Sequence, residues 1–453
     1  MAEELKKGIL GFPSLLAVAV GLVIASTTLV SLCQGMGLGG YGFIFSMLIA
    51  WILMIFQAFT FSELAITMPR AGSISSYTEV ALGHFLAILA TIAGYITVQL
   101  LAGPAEIAVA SIVINHVFFP SLSPTFIGII MLMLFMVLNL LGVDVFAKAE
   151  IVFTIIKIIT IGVIGIIGVF AMGNPQIKYV APSLGISDIF AFVALGVWLL
   201  IGTEFTCPLV EEAKNPRRDM PLAMILGLVI ILILNLLFGI ASVRYVPLNT
   251  LSTSSTPHVE VASAILGKVG LYWIGITSFF ATAGTINTLL AAVPRMLYGM
   301  AHAGQVPSIF KWLHPRFRTP WVGIFILGAG MCVQILTGIS TVETIVVFIV
   351  ASAFSWLLAY IIAHIDAIIL RLKYPNLERP FKTPLFPIPQ ILGIAGIICV
   401  MIYIFPDPKL KAEIYRYAFY FLGGGAIYSF LWCIFKMKQG LFKPVKYEEA
   451  LKE

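Results

Sequence analysis

Charge is scarce in this chain. Asp, Glu, Lys and Arg make up 11% of its 453 residues, where a soluble domain carries about a quarter. That leaves too little charge to cover a soluble surface. Cysteine is sparse as well: Cys33, Cys207, Cys332, Cys399 and Cys433 sit in or beside apolar runs with no Cys-x-x-Cys spacing. They read as small buried hydrophobes, not as a disulfide framework or a zinc site. No Gly-rich phosphate loop is present, which argues against ATP as an energy source. The excess of six positive charges gathers in alternate loops, not on one soluble face, so nucleic acid is not an expected partner. His302 and His314 stand in basic loops and read as neither metal ligands nor general bases. No cofactor, metal or enzymatic chemistry is expected.

What fills the chain is hydrophobic side chains, 60% of all residues. They come in successive runs of about 20 residues or more, enough for a helix to cross about 30 Å of hydrocarbon. The runs are continuous, whereas a membrane β-barrel needs alternating segments of about 10 residues. The reading is an all-α membrane protein of twelve transmembrane helices. The first run is too long for a signal-peptide core and others follow it, so no cleaved leader is expected. With the N-terminus taken as cytoplasmic, twenty of the 27 Lys and Arg, from Lys6 to Lys452, fall in inner loops and six in outer ones, with Lys157 inside a span. This bias places both termini in the cytoplasm.

Three spans carry polar groups at depth. The sixth holds Phe192 to Pro208, with Trp198, Ile201, Gly202, Thr203 and Glu204 near its middle. A carboxylate there costs about 2.5–3.5 kcal/mol on insertion scales, which makes it a functional candidate. Gly202 and Pro208 predict a break, tolerated at that depth only where protein or a water-filled cavity covers it. The first span, about Pro13 to Gly35, holds Ile24, Ala25, Ser26, Thr27 and Thr28. This cluster either packs helices closely or marks a second broken helix. The fifth, about Phe146 to Met172, holds Lys157, roughly 14 Å beyond Lys148 and too deep for easy snorkelling. A buried lysine can lose its proton, because desolvation disfavours the charged form; the plain alternative is a structural cation bonding helix-end carbonyls of the first span. In the third span Glu106 follows Gly103-Pro104, so a locally opened helix is expected; Glu106 faces either a cavity or the outer interface. Glu63, ending the second span, reads as a carboxylate paired with loop cations.

Breaks five spans apart are the pattern of a carrier built from inverted repeats, with its site at their junction. Half-helix N-termini suit a carboxylate and C-termini an ammonium group, so a zwitterionic amino acid fits both. The repeats are placed at 13–172 and 187–372, with two additional helices at 388–436.

Several loops carry motifs: Phe61-Ser62-Glu63-Leu64 through Pro69-Arg70-Ala71-Gly72-Ser73, Glu211-Glu212-Ala213-Lys214-Asn215-Pro216 through Pro221, Pro294-Arg295 through Pro307, His314-Pro315 through Pro320, and Glu378-Arg379-Pro380-Phe381-Lys382-Thr383-Pro384. In these the chain resembles the amino acid–polyamine–organocation permeases over nearly its whole length. Phe61, Ser73 and His302-Ala303 depart from the family pattern. The resemblance implies a LeuT-like fold with broken helices one and six and secondary transport by alternating access. It places Lys157 where sodium-coupled relatives bind sodium, implying sodium-independent proton symport or exchange with this amine as proton carrier or fixed counter-charge. It matches Ser26 to a substrate-binding Gly-Ser-Gly motif whose glycines are here Ala25 and Thr27, Trp198 to an aromatic that closes over substrate, and Glu204 to an acidic coupling position. An amino acid is the first expected substrate. An amine or polyamine is the rival, since two glycines of the carboxylate-binding segment are replaced. A passive channel or a membrane receptor is a different class, disfavoured by the scarcity of polar residues and of soluble mass.

Overall fold

The structure, a computed structural model, describes residues 4–337, 342–405 and 407–451. Lys452, one of the cations assigned to the inner side, lies outside them. In chain order the helices are α1 Phe12–Val23, α2 Ser26–Gly39, α3 Gly42–Thr67, α4 Ile74–Ala81, α5 His84–Val117, α6 Pro124–Leu140, α7 Val143–Phe170 and α8 Ile186–Trp198. A 3-10 stretch, Thr203–Glu212, leads into α9 Pro216–Tyr245, α10 Leu248–Thr253, α11 Pro257–His302, α12 Trp321–Thr337, α13 Val342–Lys373, α14 Ile388–Ile402 and α15 Pro408–Leu431. Among the described residues eight spans are long and apolar enough to cross a membrane, and the bent pair α1–α2 makes nine. The shorter apolar helices α6, α12 and α14 stand where the fourth, ninth and eleventh spans were expected. Twelve is therefore a count by position and nine a count by length.

The broken spans sit at the centre. In the sixth span 83% of the most apolar window is buried, and in α11 the same share, against 28% for the last span. Burial on all sides is what lets a broken backbone persist inside a bilayer. α1 ends where Ile24 and Ala25 adopt extended backbone, and α2 leaves at 53°. Ser26, Thr27 and Thr28 favour such a break because short hydroxyl side chains compete for backbone groups. The reading of this cluster as a second broken helix is the one the fold takes. In the sixth span α8 stops at Trp198, Gly202 turns the chain at φ +125°, and the stretch carrying Pro208 continues as 3-10 helix. Few residues other than glycine adopt that φ.

One expectation is corrected. The third span does not open at Gly103-Pro104: helix runs on through Pro104 to Val117, and its irregularity is a π-helical turn at Ile92–Ile96. The Ser- and Thr-rich loop after α9 holds α10 and the first turns of α11, which kinks at Gly267.

Both ends of the described chain lie on one face. Ile9 and Leu10 N–H groups donate to Glu212 O at 2.8 and 2.9 Å, and Arg70 donates to Ala450 O at 3.4 Å. The ion pairs joining distant segments gather on this face: Lys6 with Asp144, Arg295 with Glu212, Arg217 with Glu378, and Glu63 with Arg371 and Arg379.

Candidate functional site

A helix end leaves its last carbonyls and first amides without intrahelical partners, and inside a membrane each needs one. At the first break the protein supplies almost all of them. Val20 O accepts from Ile24 N–H at 3.0 Å, and Gly21 O accepts from Lys157 Nζ at 2.6 Å. Leu22 O accepts from Thr285 Oγ1 at 3.0 Å. The Thr28 hydroxyl is shared between Val23 O at 3.1 Å and Ala25 O at 2.8 Å. On the other side, Ser26 and Thr27 N–H groups donate to Glu106 Oε1 and Oε2 at 2.8 and 2.9 Å. Thr282 Oγ1 adds a third bond to Glu106 Oε1 at 2.5 Å. A cation thus sits at a helix C-terminus and an anion at a helix N-terminus, the favourable sense for both dipoles. Of the readings left open for Lys157, it is seen bonding a helix-end carbonyl of the first span.

Lys157 belongs to a polar seam between α7 and α11. Glu150, two turns before it on the same face, is fully buried and accepts from Asn287 Nδ2 at 2.8 Å, while Asn139 Nδ2 donates to Asn287 Oδ1 at 2.8 Å. Glu150 Oε1 has no hydrogen-bond partner among the described residues. Gly284 makes room here: a Cβ on it would come within 2.9 Å of Glu150 Oε1 and 3.1 Å of Gly21 O.

The sixth-span side is built differently. Glu204 is buried and accepts from Trp356 Nε1 at 2.9 Å and Tyr360 OH at 2.6 Å, two residues one turn apart on α13. Trp356, not Glu204, reaches the space between the breaks. That space is a cavity of about 30 Å³ lined by Ala25, Thr27, Thr28, Glu106, Trp198 and Trp356, with Leu22, Val23, Val98, Ala102, Ile201, Thr285 and Leu289. It has room for about two waters. Trp198 is one of its walls and also borders a vestibule of about 730 Å³ that opens on the face opposite the chain ends, beside Gln34, Phe192 and Asp407. The recess on the other face, lined by Lys7, Arg70, Glu211 and His302, shares no lining residue with the cavity. Trp198 therefore stands between the cavity and the vestibule, beside a smaller pocket lined by Thr27, Ser31 and Gln34, and the ion-paired layer lies toward the other face.

The sequence profile described as amino acid permease matches residues 10–430. The chain belongs to the amino acid permease family. Among its relatives, the serine/threonine exchanger SteT of Bacillus subtilis (strain 168) is 26% identical over 79% of this chain and 82% of its own. The branched-chain amino acid permease BcaP of the same organism is 24% identical over 88% of both. The human cystine/glutamate transporter is 24% identical over 79% of this chain and 72% of its own. A sodium-coupled sialic acid symporter, solved substrate-bound and outward-open, shares the fold with TM-score 0.57 and 12% identity, over 87% of this chain and 90% of its own. The expected family and the expected fold of broken helices are thus both found. The permease is an integral membrane protein of a family of transporters, and relatives that carry amino acids do not favour the amine reading.

The predicted site residues separate into groups. Ala25, Thr27, Thr28, Trp198 and Ile201 line the cavity. Ile24 is the first-span break itself, and Gly202 is the turn that ends the sixth-span helix. Ser26 Oγ points away, donating to Ser278 O at 3.0 Å, while Thr203 O accepts from Thr206 Oγ1 at 3.1 Å. Glu204 stands one side chain back, behind Trp356, and Lys157 is on the far side of α1. Glu106, whose direction the sequence left open, faces the cavity. Glu63 pairs with Arg371 and Arg379. Sequence reasoning missed Glu150, Asn287, Trp356, Tyr360 and Thr285. Glu150 had a signal, a carboxylate seven residues before a buried lysine. Trp356 and Tyr360 had none, being ordinary aromatics 152 and 156 positions from Glu204.

Proposed function

We propose that this permease is a sodium-independent secondary transporter of amino acids with uncharged side chains, working in the plasma membrane by exchange or proton symport. The observation that carries the reading is the cavity between the two breaks. One helix end there favours a carboxylate and the other an ammonium group. Apart from Glu106, no charged side chain lines it, and aliphatic and indole surfaces make up most of its wall. Lys157 on Gly21 O supports sodium independence, since a protein cation already neutralises that helix end. The large vestibule on one face and the ion-paired layer on the other support alternating access, with Trp198 on the wall between cavity and vestibule. The positive-inside bias supports cytoplasmic termini. Division into repeats at 13–172 and 187–372, with 388–436 added, fits the two breaks in corresponding places.

In proteoliposomes, uptake of radiolabelled neutral L-amino acids is expected to be the same in sodium and in choline buffer, and to respond to preloaded amino acid or to an imposed pH gradient. Uptake that needs sodium, or no uptake of any amino acid, would remove this reading.

Glu204→Gln keeps one acceptor and turns an NH₂ group toward the second donor. Losing one hydrogen bond to a charged group costs about 1.5–3 kcal/mol and frees Trp356 to move. The apparent substrate affinity is expected to fall about tenfold. Wild-type affinity together with wild-type pH dependence would take Glu204 out of the site.

A further inference from the structure

We propose that Glu106 is a tethered carboxylate that holds the seat of the substrate's own carboxylate in the empty carrier, so that only a zwitterion takes it over; this rests on the amino acid reading above. The first amides of a half-helix inside a membrane form an anion site, because they lack partners and carry the positive end of the dipole. In α2, a helix of 14 residues, those amides are Ser26 and Thr27 N–H. Both are already filled, one by each oxygen of Glu106, at 2.8 and 2.9 Å. Glu106 is 2% exposed and lines the cavity. Trp198, on the wall between this cavity and the vestibule, is 9% exposed, and its indole N–H has no acceptor among the described residues. A buried donor without an acceptor on the wall of a cavity is a group that a ligand's acceptor can satisfy.

Two carboxylates cannot share two amides while both are charged. A substrate carboxylate that takes Ser26 and Thr27 N–H therefore displaces Glu106, which then needs a cation, because an unpaired buried charge is costly. Lys157 does not line the cavity and is held on Gly21 O at the end of α1. The substrate's ammonium group can pair with Glu106. The exchange conserves charge: one carboxylate replaces another on the amides, and the displaced one pairs with the ammonium that arrived with its rival. A simple amine finds Glu106 committed to α2. A simple acid expels Glu106 and offers it nothing.

The experiment uses the full-length permease in detergent, titrated by calorimetry and thermal shift with the standard neutral L-amino acids, their decarboxylated amines and their deaminated acids. The wild type is expected to bind amino acids and neither of the other sets. Glu106→Ala leaves the amides open and is expected to bind the deaminated acids, narrowing the preference for amino acid over acid by about tenfold or more. Glu106→Gln, which keeps an acceptor but no charge, is expected to narrow it in the same direction and serves where the alanine variant does not fold. Wild-type binding of amines as tight as that of amino acids overturns the proposal. So does unchanged selectivity in Glu106→Gln. Those results leave amino acid transport standing, whereas a wild type that binds no amino acid removes the reading beneath it as well.

Discussion

Lys157→Ala is expected to abolish the pH dependence of uptake and to lower thermal stability while leaving the protein folded. The ammonium is fully buried and donates at 2.6 Å to Gly21 O, the carbonyl at the end of α1. Alanine leaves that carbonyl without its donor and leaves the buried Glu150, two turns away on α7, without a cation on its own helix face. Removing one member of a buried charged contact costs about 3–5 kcal/mol. The loss shows as a lowered melting temperature in detergent. Transport suffers separately, because the end of α1 must keep its position for the cavity to keep its shape. Lys157→Arg should keep the charge but not the fit, since Gly284 leaves space for a compact ammonium and not for a planar guanidinium. Uptake measured between mildly acidic and mildly basic buffer decides the matter. A variant with the wild-type pH profile would reduce Lys157 to a structural cation.

Arg295→Met is expected to destabilise the permease by a similar amount, about 3–5 kcal/mol, by leaving Glu212 buried and unpaired. Arg295 and Glu212 are 2% and 1% exposed and meet through two nitrogens and two oxygens, while Glu212 O also receives the amides of Ile9 and Leu10. The pair thus ties the start of the chain, the end of the sixth span and α11 together on the closed face. The double variant Arg295→Met with Glu212→Leu should recover much of the stability, since no orphan charge remains. It should not recover the seal. Cys207, buried in the 3-10 stretch, is expected to react faster with a thiol reagent in the double variant than in the wild type. Equal melting temperatures for wild type and Arg295→Met would show that the pair contributes nothing to the closed face.

The site was legible in the sequence where a local rule was broken and illegible where it was not. Gly202, Glu204, Lys157 and the Ser26–Thr28 cluster stand out against apolar neighbours, and each lies at or beside a helix break or a helix end. The expected opening at Gly103-Pro104 failed for the opposite reason. A proline inside a transmembrane helix is tolerated when neighbours cover the freed carbonyl, and here the helix continues past it. Trp356 and Tyr360 lay beyond reach, since aromatics in an apolar span carry no sign of what they touch.

Composition and periodicity by themselves determined that the chain crosses a membrane as helices and pointed to a break in the sixth of them, because hydrophobic length and a glycine beside a carboxylate in an apolar run are local features; whether the Ser26–Thr28 cluster packs helices or breaks one stayed open until the fold was seen. Only the tertiary structure decided which groups answer the broken ends. Glu106 lies 80 positions from Ser26 and Lys157 lies 136 from Gly21. A hydrogen bond requires an approach of about 3 Å, and the crossing of packed helices sets that approach, not the spacing of residues along any one of them.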